Sequence, residues 1–343
     1  MSLIASTIGV VERAPLPDAV LRMGVGYLVG RTRDRLNAAP QADADAFVRE
    51  MAKYPIAIHT GEANAQHYEV PARFFELTLG PRRKYSCCYY DAPETTLAQA
   101  EERALEETVR HADLADGQSI LELGCGWGSL SLFMAQKYPK ARITAVSNSA
   151  SQRAFIEAQA ARAALTNLQV ITADMNDFTT SGRFDRIVSI EMFEHMSNWR
   201  PLLQRLRGWL TEEGRVFIHI FTHRNRPYRF DHAEKADWIA QHFFTGGIMP
   251  SRQLIHGFGD LFTVEEEWLW NGVHYQRTAL DWLRNFDAHR DEIDAVLRDV
   301  YGVEASLWRR RWRLFFLATE GLFGDRAGAE WGVSHYRLRP SNG

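Results

Sequence analysis

Between about residues 96 and 222, short and nearly continuous apolar runs alternate with helix-length amphipathic stretches. The runs at 119–124 (SILELG), 141–147 (ARITAVS), 169–173, 184–190 (FDRIVSI) and 215–221 (RVFIHIF) have the length and β-branched content of strands. The stretches at 96–112, 129–138, 150–164 and 199–210 read as helices. Strands that are apolar on both sides, separated by helices, indicate a parallel sheet covered on both faces. The fold class is therefore a doubly wound α/β domain.

The pattern differs on either side of this core. Residues 1–95 read as helical with Pro and Gly interruptions, including helices over 42–52 and 71–79. After residue 222 the alternation fails. The stretch 223–258 shows no strand, 262–270 reads as a late strand and 331–338 as a closing edge strand. Residues 278–301 and 306–320 are helical. The expected organisation is an N-terminal helical segment (1–95), a Rossmann-like core (96–222) and a cap with late strands (223–343).

Composition narrows the function. Forty Lys and Arg against 43 Asp and Glu leave a net charge of -3, which lacks the basic face a nucleic-acid partner needs. The three cysteines, Cys87, Cys88 and Cys125, form neither a disulfide framework nor a metal-binding spacing. Reduced cysteines point to the cytoplasm, and MSLIASTIGVVERAP lacks the basic start of a signal peptide. No apolar run approaches the ~20 residues of a membrane span. Eight of the 10 Trp lie beyond residue 200, where a lid over the sheet would sit. That concentration favours an acceptor pocket for an apolar or cationic ligand. Self-association into a homodimer stays open.

The first strand runs into Glu122-Leu-Gly-Cys-Gly-Trp-Gly128. Gly124 and Gly126 permit a sharp turn and close approach to a ligand, and the next helix aims its amides there. The dinucleotide pattern G-x-G-x-x-G is not met, because its third position is Ser129. The E-x-G-x-G form instead resembles the first motif of class I S-adenosylmethionine (SAM) methyltransferases. Asp174 and Met175 close the third strand, where a carboxylate accepts from the adenine amino group and a thioether packs on the ring. The alternative role of Asp174 is a helix cap. At the second strand's end the usual acidic residue is absent, and Asn148 and Gln152 offer neutral hydrogen bonds instead. After the fourth strand, Glu-Met-Phe-Glu-His sets Glu191, Glu194 and His195 at the mouth of the sheet. Carboxylates and a histidine suit deprotonation of an acceptor and stabilisation of a moving positive charge. No metal is expected, since methyl transfer needs no Lewis acid.

Lys84-Tyr-Ser-Cys-Cys-Tyr-Tyr90, LELGCGWGSL, EMFEHM, Ala65-Gln-His-Tyr-Glu-Val-Pro71 and His274-Tyr-Gln-Arg-Thr278 together resemble the cyclopropane-fatty-acid-synthase superfamily, and within it the coclaurine-type N-methyltransferases. The resemblance covers roughly residues 60 to 340. It implies a class I methyltransferase that converts SAM to S-adenosylhomocysteine. It also implies cofactor contacts from Tyr85 and Ser86, Gly124 and Gly126, Asn148 and Gln152, and Asp174 and Met175. Glu194 and His195 would hold and deprotonate an amine, with Glu191 close by.

Two acceptors compete. One is a small apolar or aromatic amine. The other is an unsaturated lipid acyl chain with bicarbonate as base, for which the resemblance implies a site of Cys87, Glu194, His219 and Tyr275. His219 favours this second reading, because a Glu is expected there in the N-methyltransferases. The segment Trp308–Phe316 adds a helix with Trp308, Trp312, Phe315 and Thr319 on one face and arginines beside them. Such a helix either contacts an anionic membrane peripherally or packs as a cap helix with snorkelling arginines.

Overall fold

The computed structural model describes residues 11–14, 16–38, 44–58, 70–233 and 237–342. Residues 65–69 of the Ala65–Pro71 string lie outside the described residues. The N-terminal part carries α1 (Asp18–Ala38), α2 (Ala44–Met51) and α3 (Ala72–Thr78). The core follows as α4 (Leu97–His111), β1 (Ser119–Leu123), α5 (Ser129–Lys137), β2 (Arg142–Ser147), α6 (Ala150–Arg162), β3 (Leu168–Thr172), β4 (Phe184–Ile190), α7 (Trp199–Trp209) and β5 (Leu210–His223). Local chemistry marks these boundaries. Thr96 and Gln99 form a reciprocal capping box at the start of α4, and Ser149 caps α6 through the Gln152 amide.

Beyond β5 come β6 (Tyr228–Arg229), α8 (Trp238–His242), β7 (Ile248–Met249), β8 (Phe262–Asn271), α9 (Gly272–Ala288), α10 (Arg290–Tyr301), α11 (Ala305–Gly324) and β9 (Trp331–Pro340). The seven-stranded sheet has the order β3-β2-β1-β4-β5-β9-β8. The pairs among β1 to β5 are parallel, and β9 is antiparallel to both β5 and β8.

Three expectations are corrected here. The strand at 331–340 is not an edge strand: it lies between β5 and β8, and the edge is β8. Its polar positions look solvent-facing in sequence, yet Ser334 and His335 are buried and paired with neighbouring groups. The run of acidic residues in β8 is what suits an exposed edge. The predicted helix over 278–301 is two helices, starting six residues earlier under an Asn271 cap and breaking at His289. The stretch 223–258 contains the two-residue β6–β7 ladder.

Helices cover both sheet faces. Leu105, Val109, Phe133 and Met134 pack on Ile120, Ile143, Val188 and Phe217. Leu202, Leu203 and Leu206 pack on Leu121, Ile187, Val216 and Ile218 on the other side. A third cluster joins α1, α3 and the loop at Cys87 and Cys88 to α9 and α11, through Val29, Phe74, Phe75, Trp282, Trp312 and Phe316. The N-terminal part and the cap thus share one core over the carboxyl ends of the strands. The α11 arginines are held inside this arrangement. Arg311 pairs with Glu12, and Arg313 with Asp18 and Asp287, while Trp312 is fully buried. Among the described residues, no helix is long and apolar enough to cross a membrane.

Candidate active site

The carboxyl ends of β1, β2, β3 and β4 surround an open cleft. Its wall contains Gly124, Gly126, Asn148, Gln152, Asp174, Met175, Glu191 and His195, brought together from four separate strand ends. Gly124 has φ +77°, and a Cβ there would meet Met192 at 2.7 Å. Gly126 has φ +51°, and a Cβ there would find nothing within 4 Å. That open space is the approach path to the loop backbone. Glu122, ahead of these glycines, is buried beneath them and accepts from Ser131 Oγ at 2.5 Å. Burial pushes its pKa up to about 8.

The cleft fits a nucleoside cofactor. Gln152 accepts from Ser147 Oγ at 2.6 Å through its Oε1, while its Nε2 is buried on the cleft wall with no hydrogen-bond partner among the described residues. A buried amide donor without an acceptor implies a missing ligand group. Asp174 is both a turn former and a wall residue: its Oδ1 accepts from the Asn176 amide at 2.7 Å. Ala57, Ile58 and Thr245 also line the cleft. Sequence reasoning missed them, because small and apolar residues far from the glycine loop carry no chemical signal. Tyr85 and Ser86 do not line it. Tyr85 packs on Phe75 and Trp282, and Ser86 accepts from the buried Lys84 Nζ at 2.6 Å.

Glu191 is the centre of the acceptor end. It follows β4 directly with φ +47°, a strained left-handed conformation for a residue with a side chain. Its Oε1 accepts from the Cys87 amide at 2.9 Å and from His219 Nε2 at 3.2 Å. Its Oε2 accepts from Tyr275 Oη at 2.7 Å. Three of the residues expected to hold bicarbonate therefore converge, with Cys87 contributing its backbone amide rather than its thiol. They converge on the carboxylate of Glu191. Glu194 is outside this ring of donors and fully buried, with the backbone amides of Glu194 and Phe221 as the groups that favour its charged form.

Burial raises the pKa of both carboxyl groups, and Glu191 raises that of Glu194 further. The Cys87 amide, the Tyr275 hydroxyl and nearby Lys84 pull Glu191 back toward its charged form, so of the two carboxyl groups Glu191 ionises first and Glu194 is held neutral longer. His195 sits in a single 3₁₀ turn, Phe193–His195, with its ring stacked 4.3 Å from Phe244. Burial lowers its pKa to about 4, against an opposing pull from Glu191. Phe244 packs in turn on Phe221 and Phe230, and Tyr275, bonded to Glu191, stacks on Phe323. Among the described residues, no group of three or more His, Cys, Asp or Glu side chains is arranged to hold a metal ion.

A family profile described as mycolic acid cyclopropane synthetase matches residues 57–327. An (S)-coclaurine N-methyltransferase of Thalictrum flavum subsp. glaucum is 36% identical over 82% of this chain and 79% of its own length. Hydroxymycolate synthase of Mycobacterium tuberculosis is 30% identical over 68% of this chain and 81% of its own. A crystal structure of coclaurine N-methyltransferase bound to N-methylheliamine and S-adenosylhomocysteine superposes with a TM-score of 0.94, at 32% identity, covering 98% of this chain and all of that one. The chain belongs to the mycolic acid cyclopropane synthetase family and is a SAM-dependent methyltransferase, on the side of that family where the coclaurine N-methyltransferases lie.

Proposed function

We propose that the chain N-methylates a small, largely apolar amine, with His195 as the base. The observation that carries this reading is the pair Glu191 and His195 on the cleft wall, with Tyr275 bonded to Glu191, Phe244 stacked on His195, and Phe221 and Phe323 packed behind those two rings. Aromatic faces and a carboxylate together suit a cationic nitrogen on a flat apolar body. The relatives named for coclaurine, and the solved structure that holds N-methylheliamine, support an amine acceptor. In this reading residues 96–222 hold the cofactor, and 1–95 with 223–343 close over the acceptor. Three buried, unpaired cysteines support the expected cytoplasmic compartment.

The residue roles follow from the electrostatics. Gly124, Gly126, Asn148, Gln152, Asp174 and Met175 would hold SAM, which supplies a methyl group on a sulfonium. An amine enters mostly as an ammonium ion and must lose a proton before it attacks. His195 is neutral at working pH and takes that proton on its imidazole. Ionised Glu191 offsets the positive charge that passes to the nitrogen. Glu194, buried and pushed further up by Glu191, stays neutral and adds no second negative charge beside it. The lipid reading needs a bound bicarbonate, and the donors that would hold it are already taken by Glu191.

The test is a SAM-consumption assay over aromatic amines and unsaturated phospholipids, with and without bicarbonate. Turnover is expected with amines and independent of bicarbonate. His195→Ala is expected to lower kcat by roughly 10²–10⁴-fold and to leave S-adenosylhomocysteine affinity unchanged. Wild-type turnover in that variant, or turnover confined to lipid, would sink the assignment.

A further inference from the structure

We propose that three buried histidines behind the acceptor site form a tautomer lock, in which His111 and His335 are positioning residues that hold His219 as an Nε2–H donor to Glu191. The inference deepens the functional reading above and rests on the role given there to Glu191.

Strand register builds the row. His219 on β5 lies directly opposite His335 on β9, and His335 lies opposite Trp268 on β8. Opposed residues share one face of the sheet. Helix α4 crosses that face and lays His111 flat on Trp268, with ring centroids 3.9 Å apart and planes within 9°. His111 Nδ1 then sits 2.8 Å from His335 Nδ1. The rings of His335 and His219 are 4.5 Å apart at a tilt of 32°. All three side chains are buried.

Hydrogen-bond chemistry gives the row a direction. A guanidinium only donates, and Arg110 Nη2 lies 2.8 Å from His111 Nε2. That nitrogen therefore carries the lone pair, and the hydrogen of His111 is on Nδ1. Glu107 is 3.3 Å from the same nitrogen, but its carboxylate is engaged by Arg110. His111 Nδ1–H donates to His335 Nδ1, which leaves the hydrogen of His335 on Nε2. His335 Nε2 and His219 Nδ1 are both buried without hydrogen-bond partners among the described residues, on facing rings. An N–H on one ring and a lone pair on the other attract across that contact. His219 then carries its hydrogen on Nε2, 3.2 Å from Glu191 Oε1.

The opposite tautomer of His219 would aim a lone pair at the carboxylate, and Glu191 would have to take up a proton to remain bonded. The charged groups facing the row are Lys84, Arg110 and Arg337 on one side of the balance and Glu107 and Glu191 on the other. Burial and the three cations keep every ring neutral, which is the state in which a tautomer carries information.

Long-range ¹H–¹⁵N correlation spectra of the full-length chain with ¹⁵N-labelled histidine read the tautomers directly. Nδ1–H is expected for His111, and Nε2–H for His335 and His219. His111→Phe should lower kcat roughly tenfold, move the acid limb of the kcat profile to higher pH and leave the KM for SAM unchanged. His111→Asn, which restores a donor at the Nδ1 position, should recover most of the rate. Nε2–H for His111 in the wild type overturns the proposal even if no variant folds. An unshifted pH profile and wild-type kcat in His111→Phe overturn it as well. Wild-type activity in Glu191→Gln, with all three tautomers as assigned, instead defeats the role of Glu191 and leaves the row's arrangement intact.

Discussion

At the scale of single residues, Glu191 decides how this chain differs from a lipid methyltransferase that borrows an external anion. A planar carboxylate held by an amide, an imidazole and a phenol occupies a space that would suit any small planar oxyanion. Its backbone φ of +47° is one that glycine adopts without strain. Glu191→Gly should therefore fold, lose most activity and open a three-donor cage. Formate or bicarbonate should restore activity roughly tenfold in that variant, and neither should affect the wild type. Absence of rescue, with normal S-adenosylhomocysteine binding, would show that the carboxylate acts through its tether and not only as an anion. The string EMFEHM made Glu191, Glu194 and His195 legible as chemistry. It did not tell which carboxylate is ionised, because that depends on donors from three other elements. Cys87 was legible only as a thiol, whereas its backbone amide makes the contact. Buried Lys84 carried no signal beyond its place in an aromatic string.

At the scale of elements, α11 shows how one helix serves two readings until its neighbours are known. Its aromatic stripe and arginines suit a membrane surface in isolation. In the fold, Trp312 packs at 4.6 Å on Phe74 of α3 and at 5.1 Å on Phe243, beside Phe316. The arginines bind acidic groups of the N-terminal part and of α9 and α10. Trp312→Ala should cost about 3–5 kcal/mol of stability, because it empties a buried position in the core that the N-terminal part shares with the cap. Chemical denaturation measures that loss. Co-sedimentation with anionic vesicles should detect no binding by the wild type, and strong binding would restore the membrane role of this helix. The core strands and helices were legible because burial on both faces writes a continuous apolar run. The position of β9 was not, since periodicity reports which side of a strand is buried and never which strand lies beside it. The break at His289 was likewise hidden, because both flanking helices keep compatible apolar spacing.

At the scale of the whole molecule, stability against pH is set by buried titratable groups rather than by the small net charge of -3. Burial lowers the pKa of His111, His195, His219, His223, His242, His274 and His335, with His111, His195, His242 and His274 at about 4 against 6.5. Below pH 6.5 the unfolded chain binds protons at these sites and the fold does not, so stability falls as pH drops. Burial raises the pKa of Glu101 to about 7 and of Glu122 to about 8 from 4.5, and raises Glu191 and Glu194 in the same direction. Above pH 4.5 the fold holds protons there that the unfolded chain has lost, so these groups make stability fall as pH rises, until each folded pKa is passed. Seven histidines outweigh four carboxyl groups below pH 6.5, and above it the carboxyl groups still protonated in the fold, joined at higher pH by the buried thiols of Cys87, Cys88 and Cys125, act in the falling direction. Maximum stability is therefore expected near pH 6.5, with an alkaline decline of about 1.4 kcal/mol per pH unit for each proton involved. Glu122 lies beneath the glycine loop and accepts from Ser131, so Glu122→Gln keeps the shape and removes the titration. Urea unfolding at pH 5, 6.5 and 8 should find the highest midpoint at 6.5 in the wild type and a shallower alkaline fall in Glu122→Gln. A wild-type midpoint that climbs steadily to pH 8 would mean that the buried carboxyl groups ionise at no cost, and the division of Glu191 and Glu194 into one charged and one neutral group would fall with it.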